Sequence, residues 1–145
     1  MPVTDVDLDS RVLQIVERLA KRQPIEIFVV YVLEVVQAMP LDAELPGDVE
    51  QGEKVLQAAR NHIVEHVDPR QNLIRTELLQ ARSTGAAIVD EAIDQDASVI
   101  IMSAKLQRRL GQLSIGETVD YVLRNAHCEV VVVRSQMPHW LVEAL

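Results

Sequence analysis

The feature that most constrains this chain is the alternation of short, β-branched apolar runs with longer amphipathic stretches. Three runs are almost continuously apolar: IEIFVVYVL at 25–33, SVIIM at 98–102 and EVVVVR at 129–134. Runs of this length and composition are typical of strands that are buried on both faces. A fourth run, NLIRTELL at 72–79, is more polar and predicts a weaker strand nearer a sheet edge.

The stretches around these runs carry apolar residues at the period of an α-helix. The first stripe comprises Leu8, Val12, Ile15, Val16 and Leu19, and Asp5 and Asp7 are placed to favour its amino end. Three further stripes lie within 49–67, 86–93 and 115–123. Strands that alternate with helices predict right-handed βαβ units and a parallel sheet with helices on both faces.

The position of the first helix leaves little room for a strand before it. If that helix begins near Leu8, only Met1–Thr4 precede it as strand residues. We therefore expect the first strand to be short or truncated.

Composition excludes several classes of protein. The chain has 145 residues, 48% of them apolar, which predicts one domain with a real core. Its net charge of −8 disfavours binding to the phosphates of DNA or RNA. The single cysteine, Cys128, allows no internal disulfide, and no apolar run approaches the ~18 residues of a membrane span. We expect a cytoplasmic protein with no nucleic-acid partner and no membrane span.

The segment KLQRRLGQLSIGET at 105–118 has the ingredients of a phosphate-binding loop. It follows an apolar strand and precedes a helix, which is where ligands sit in doubly wound sheets. Gly111 and Gly116 have the glycine spacing of a Walker loop, but Glu117 stands where that loop has a lysine. The residues alone leave two alternatives open: a diverged anion-binding loop, or a structural turn with solvated basic side chains.

Two other patterns argue weakly for catalysis. His62, Glu65 and His66 satisfy H-x-x-E-H, yet the histidines lie beside the apolar stripe of their helix, which favours an ordinary exposed face. Cys128 adjoins His127, but neighbours in a strand point to opposite faces, so a structural cysteine is favoured. No serine lies in a G-x-S-x-G elbow. We expect no enzyme and no metal site, with weak nucleotide hydrolysis at most.

The last apolar run, EVVVVR, is expected at a sheet edge, where a long apolar strand must be covered or paired. Homodimerisation through this strand and the tail at 135–145 is one solution. The alternative is that the tail folds back over its own edge.

The segments AIVDEAIDQDASVIIM at 87–102 and YVLRNAHCEVVVVR at 121–134, with Gly116 between them, resemble the universal stress protein family. The resemblance implies a Rossmann-like domain over 1–134, built on one doubly wound, five-stranded parallel sheet of order 3-2-1-4-5, and a separate tail at 135–145. Three segments are similar to the version fused behind amino-acid permease transporters: PLDAEL at 40–45, QARSTGAAI at 80–88, and RRLG…GETV within 108–119. That likeness implies a transporter as partner or fusion.

ATP-binding members of the family carry G-x2-G-x9-G-[S/T] after the fourth strand. Counted from Met102, this pattern falls on Ser103, Leu106, Gly116 and Glu117, so one glycine of three is kept. The family's Asp-Gly-Ser after the first strand falls on Thr4, Asp5 and Val6. These departures argue against ATP binding in the family's usual manner. The residues that could still hold ATP, another nucleotide or another anion are Thr4, Asp5, Ser103, Lys105, Arg108, Arg109, Gly116 and Thr118.

The sequence thus predicts a non-enzymatic regulatory domain that acts through dimerisation and protein contacts, with a transporter as a possible target. The alternative is a nucleotide-sensing module that uses the diverged loop.

Overall fold

Helices and strands alternate along the chain as the apolar pattern predicts. The computed structural model of the protein describes residues 1–4 and 10–134. In chain order the elements are β1 (Pro2–Val3), α1 (Ser10–Arg22), β2 (Glu26–Glu34), α2 (Pro46–His66), β3 (Leu73–Ala81), α3 (Thr84–Asp94), β4 (Val99–Ala104), β5 (Gln107–Arg109), β6 (Gln112–Ser114), α4 (Glu117–Asn125) and β7 (Glu129–Arg134). The α/β class is confirmed: each predicted apolar run overlaps a strand and, within the described residues, each predicted helical stripe overlaps a helix. Ile115 precedes α4, and Leu8 lies outside the described residues. Asp5, Asp7 and the tail at 135–145 lie outside the described residues.

The long strands form two parallel sheets rather than one. In the first sheet the order is β1-β2-β3, and β3 lies at the edge as its polar sequence predicts. In the second sheet β4 pairs with β7. The expected continuous five-stranded sheet is not found in the described part of the chain, because the hydrogen-bonded ladder stops between β1 and β4. With only two residues, β1 offers too few backbone groups to bond β2 on one side and β4 on the other.

Apolar side chains on both faces of the strands pack against helices. On one face α1 and α2 cover β2 and β3, with Val16, Ala59 and Val29 among the buried residues. On the other face α3 and α4 cover β4, where Ile88 and Val122 are buried. Successive residues of β4 contribute to opposite clusters, as expected for a strand that is buried on both sides. The prediction of helices on both faces is confirmed.

The segment after β4 departs from the expected open loop. Residues 107–114 form an antiparallel hairpin in which Arg108 pairs with Leu113. At its tip Leu110 and Gly111 have φ values of 51° and 77°, the backbone that two-residue hairpin turns require. The side chain of Leu110 is 99% exposed there. The glycine therefore serves the turn of a hairpin and not a close approach to phosphate.

None of the described helices combines the length and the hydropathy that crossing a membrane would need.

Candidate functional site

A cleft of about 350 Å³ opens where β1, β2 and β4 end and α3 and α4 begin. Its walls are largely apolar, with contributions from Val12 and Leu13 of α1, Val30 of β2 and Ile88 of α3. The carboxyl edge of a parallel sheet is the usual ligand position in doubly wound folds. Its volume lies at the lower end of the range for small-molecule sites, so a small ligand fits best.

Three of the residues predicted for the site line this cleft: Thr4, Ser103 and Thr118. Thr4 directly follows β1, Ser103 lies next to the last residue of β4, and Thr118 lies in the first turn of α4. Topology therefore brings together hydroxyl groups that are as much as 114 positions apart in sequence (118 minus 4). Asp5, the fourth candidate at this edge, lies outside the described residues.

Gly116 shapes the entry to α4 without lining the cleft. It is the N-cap residue, its φ is 92°, and its N–H donates to Ser114 Oγ at 3.1 Å. Among the described residues, no side chain caps this helix by a hydrogen bond. The amino end of α4 thus presents backbone N–H groups beside Thr118, a favourable arrangement for an anion.

The basic candidates lie apart from the cleft. Lys105, Arg108 and Arg109 belong to the strand end and hairpin and are not among its lining residues. Arg109 Nη1 lies 3.2 Å from Glu117 Oε1, so Glu117 engages a cation of its own chain. Both side chains are exposed, which limits the energy of this ion pair to about 1 kcal/mol or less. Within the described residues, the lining contains no side chain of Lys, Arg, Asp, Glu or His.

Two hydroxyl-bearing residues that line the cleft, Tyr31 and Thr84, were not predicted from the sequence. Thr84, the first residue of α3, lines the cleft, and its Oγ1 donates to Glu34 Oε2 at 2.7 Å. Glu34 ends β2, so a carboxylate stands at the rim of the cleft. The signal in the sequence was the polar pair Ser83-Thr84 directly after a strand and at the start of a helix. Ser83 Oγ accepts from Ala86 N at 3.3 Å and is engaged as the helix cap.

The H-x-x-E-H pattern forms no metal site in the described part of the chain. His62 and His66 are stacked on α2, with ring centroids 4.8 Å apart, and His66 Nδ1 lies 3.0 Å from the carbonyl oxygen of His62. Across residues 1–4 and 10–134 no three His, Cys, Asp or Glu side chains are grouped for an ion. His66 is exposed and His62 is half-buried on the surface of this helix.

The sequence over residues 1–134 matches the universal stress protein family, and this match spans nearly the whole chain. The chain belongs to the universal stress protein family. The resemblance seen in the sequence is confirmed, whereas the likeness to the permease-associated version stays a prediction. No curated protein matches the sequence of this universal stress protein.

Solved structures with a similar fold include the universal stress protein from Archaeoglobus fulgidus. It is 21% identical, covers 91% of this chain and 94% of its own, and has a TM-score of 0.70. The universal stress protein from Archaeoglobus fulgidus in complex with dAMP is 19% identical with the same coverage and a TM-score of 0.67. At these identities the likeness establishes the fold of this universal stress protein and not its ligand.

Proposed function

We propose that this universal stress protein is a non-enzymatic regulatory domain that senses a nucleoside monophosphate in the cleft at the carboxyl edge of its strands. The observation that carries this proposal is the convergence of Thr4, Ser103 and Thr118 on one apolar-walled cleft beside an uncapped helix end. The complex of a related universal stress protein with dAMP supports the ligand class.

The chemistry of the cleft matches a nucleoside carrying one phosphate. Apolar walls suit a base and hydroxyl groups suit the ribose, since a binding site needs a few placed polar groups in a mostly apolar surface. The backbone N–H groups and dipole at the start of α4 suit a phosphate near Thr118. The residues that would make these contacts, Thr4, Ser103 and Thr118, lie in or directly beside strands and helices at this edge of the sheet.

A triphosphate fits less well for electrostatic reasons. Within the described lining no lysine or arginine side chain is present to neutralise the β- and γ-phosphates. Glu34 adds a negative charge at the rim, and Arg109 is engaged by Glu117. We therefore expect AMP or dAMP to bind more tightly than ATP.

We propose a non-enzymatic role because hydrolysis of a nucleotide requires a group that can activate water. The lining side chains in the described part of the chain are apolar or hydroxyl-bearing, and the carboxylate bonded to the Thr84 hydroxyl, that of Glu34, stands at the rim and is not part of the lining. A hydroxyl without a neighbouring base is a weak nucleophile and a weak base, which describes the predicted site residues Ser103 and Thr118. We therefore expect the cleft to bind a nucleotide without hydrolysing it, as a sensor does.

The test is a thermal-shift series with millimolar AMP, dAMP, ADP and ATP, each with and without magnesium. At a ligand concentration a hundred times Kd, binding stabilises the folded state by ~2.7 kcal/mol, which raises Tm by several degrees. Thr118→Val should remove most of the shift caused by AMP. The matched control is Thr76→Val, which removes the same hydroxyl from an exposed position of β3. The absence of a shift with all four nucleotides would overturn the proposal.

A second candidate function, dimerisation and protein contact, is favoured by the exposed edge of β7. Among the described residues β7 pairs with β4 alone, and Val131 is 37% exposed. We propose that this edge pairs with a second copy and that a transporter is the regulated partner, the latter from sequence resemblance alone. Light scattering at micromolar concentration should give the mass of a dimer for the natural chain and of a monomer for Val131→Lys. A monomeric natural chain would contradict the dimer.

A further inference from the structure

The hairpin formed by β5 and β6 carries an almost fully exposed leucine at its tip. Leu110 is 99% exposed, and every residue from 107 to 112 is exposed with it. Each strand of the hairpin has three residues, so the tip stands about 10 Å from the base. The hairpin is therefore a projection that ends in an apolar side chain.

The backbone at this tip is unfavourable for leucine. Leu110 has a φ of 51°, a left-handed conformation in which Cβ crowds a carbonyl oxygen and which bulky residues rarely adopt. Tight hairpin turns prefer asparagine, aspartate or glycine at this position, before a glycine such as Gly111. The leucine thus strains the turn and exposes apolar surface, and neither effect stabilises the folded chain. Strained residues of this kind cluster at binding sites, and a contact with another molecule would account for both costs.

Basic side chains flank the leucine. Arg108 and Arg109 are successive residues of β5, and successive strand residues point to opposite faces. With Lys105 they give residues 105–114 a charge of +3 and no acidic residue, whereas the rest of the chain has a charge of −11 (−8 minus +3). Positive charge is therefore concentrated around the apolar tip.

We propose that the tip of this hairpin docks on an anionic lipid surface, with Leu110 inserted among the acyl chains and Arg108 and Arg109 at the phosphates. An apolar end flanked by cations matches the layers of such a surface, where acyl chains lie beneath anionic headgroups. Arginine side chains keep the guanidinium in the polar layer while their methylene stems lie along apolar surface. None of these three residues lines the cleft, so the contact is separate from nucleotide binding.

The acidic character of the chain does not prevent this contact. Arg109 Nη1 lies 3.2 Å from Glu117 Oε1, but both side chains are exposed and such pairs are weak in water, so a lipid phosphate can replace the carboxylate. At physiological salt, charges more than about 8–10 Å apart are largely screened from each other. The length of the hairpin thus holds its tip about one screening length from its base.

A lipid surface fits this projection better than a protein partner. Its six exposed residues are far fewer than the roughly 20–30 that each partner contributes to a specific protein interface. Membrane contact needs no such area, because inserted apolar groups and cations near anionic lipid supply its strength. A nucleic-acid backbone would bind the arginines but would leave Leu110 exposed.

The test is sedimentation of the protein with vesicles of phosphatidylcholine and with vesicles that also contain phosphatidylglycerol. A leucine and two cations anchor more weakly than one myristoyl chain, so we expect half-saturation at roughly millimolar lipid on the anionic vesicles and little binding to the neutral ones. Leu110→Asn should weaken binding by about tenfold, because the apolar insertion is lost. The same substitution gives the turn its preferred Asn-Gly sequence, so Tm should stay equal or rise, which separates binding from folding.

Charge is tested with a second variant and two matched controls. Arg108→Gln should weaken binding by about fivefold, the effect of one cation near an anionic surface. Leu123→Gln and Arg124→Gln remove an exposed leucine and an exposed arginine from α4, and both should leave binding unchanged. Salt at about 1 M should release the protein, because it shortens the screening length to about 3 Å.

Three outcomes would overturn the proposal. Equal binding to neutral and anionic vesicles would contradict recognition of lipid charge. Binding that Leu110→Asn leaves unchanged would show that the basic side chains attract any polyanion and that the leucine does not insert. No binding to the anionic vesicles at several millimolar lipid would exclude a lipid surface and leave an acidic protein surface as the class of partner that the hairpin fits.

Discussion

The side-chain amide of Asn72 makes two hydrogen bonds whose loss should lower the free energy of unfolding. Asn72 is 4% exposed, the one polar residue counted as buried in the described part of the chain. Its Oδ1 accepts from Ile25 N at 2.9 Å and its Nδ2 donates to Asp68 O at 3.0 Å, so it joins the start of β2 to the loop before β3. Asn72→Ala leaves the Ile25 N–H without this acceptor, whereas Asp68 O keeps two backbone donors.

The expected cost follows from these two bonds. A part-buried donor left unsatisfied costs about 1–3 kcal/mol, and the loss of the second bond adds about 1 kcal/mol. We expect Asn72→Ala to lower the free energy of unfolding by about 2–4 kcal/mol and Tm by about 6–15 °C.

Urea unfolding followed by circular dichroism measures this free energy, and Asn61→Ala is the matched control. Asn61 also accepts one hydrogen bond, from Gln57 at 2.8 Å, but on the exposed surface of α2, so the same substitution should change stability by less than about 0.5 kcal/mol. If Asn72→Ala is as stable as Asn61→Ala, the argument from burial is wrong.

Two further substitutions test the packing and electrostatics of α3. A Cβ on Gly85 would lie 2.9 Å from Tyr121 Cβ, so Gly85→Ala should destabilise by about 1–2 kcal/mol in urea unfolding. A Cβ on Gly47 would have no atom of the described residues within 4 Å, so the control Gly47→Ala should be neutral or stabilising. Equal effects of the two substitutions would refute the close approach of α3 to α4. The pKa of Glu77 is raised, first by a hydrogen bond with Glu91 and then by burial. The protonated carboxyl of Glu77 therefore stabilises the folded state at pH values below the pKa of the unfolded chain, and this contribution is lost as pH rises through the pKa of the folded state. Glu77→Gln should therefore raise Tm relative to the natural chain more at pH 7 than at pH 4, and a difference independent of pH would contradict this coupling.

Much of the fold was predictable because segments that are buried must be rich in apolar residues. The run at 25–33 is apolar on both faces since β2 lies between two layers of helices, and 72–79 is more polar since β3 is an edge strand. The divided sheet was harder to predict. The short first strand was visible at Met1–Thr4, but whether two residues suffice to connect β2 with β4 depends on backbone register, which the sequence does not encode locally.

The candidate site was predictable in part, for a reason of geometry. Thr4, Ser103 and Thr118 could be placed at one edge because the ends of parallel strands converge there. The positions of Lys105, Arg108 and Arg109 could not, since they depend on the hairpin at 107–114. That hairpin has a leucine, not the usual asparagine or glycine, at the first position of its tight turn, so its turn signal is weak.

The most direct test of the proposed function is a calorimetric titration of AMP and of ATP into the natural chain, Thr118→Val and Thr76→Val. The cleft described above predicts that AMP binds about tenfold or more tightly than ATP, and that Thr118→Val weakens AMP binding by about tenfold while Thr76→Val leaves it unchanged. ATP binding that is tighter than AMP binding, or AMP binding that Thr118→Val does not alter, would contradict a monophosphate site in this cleft.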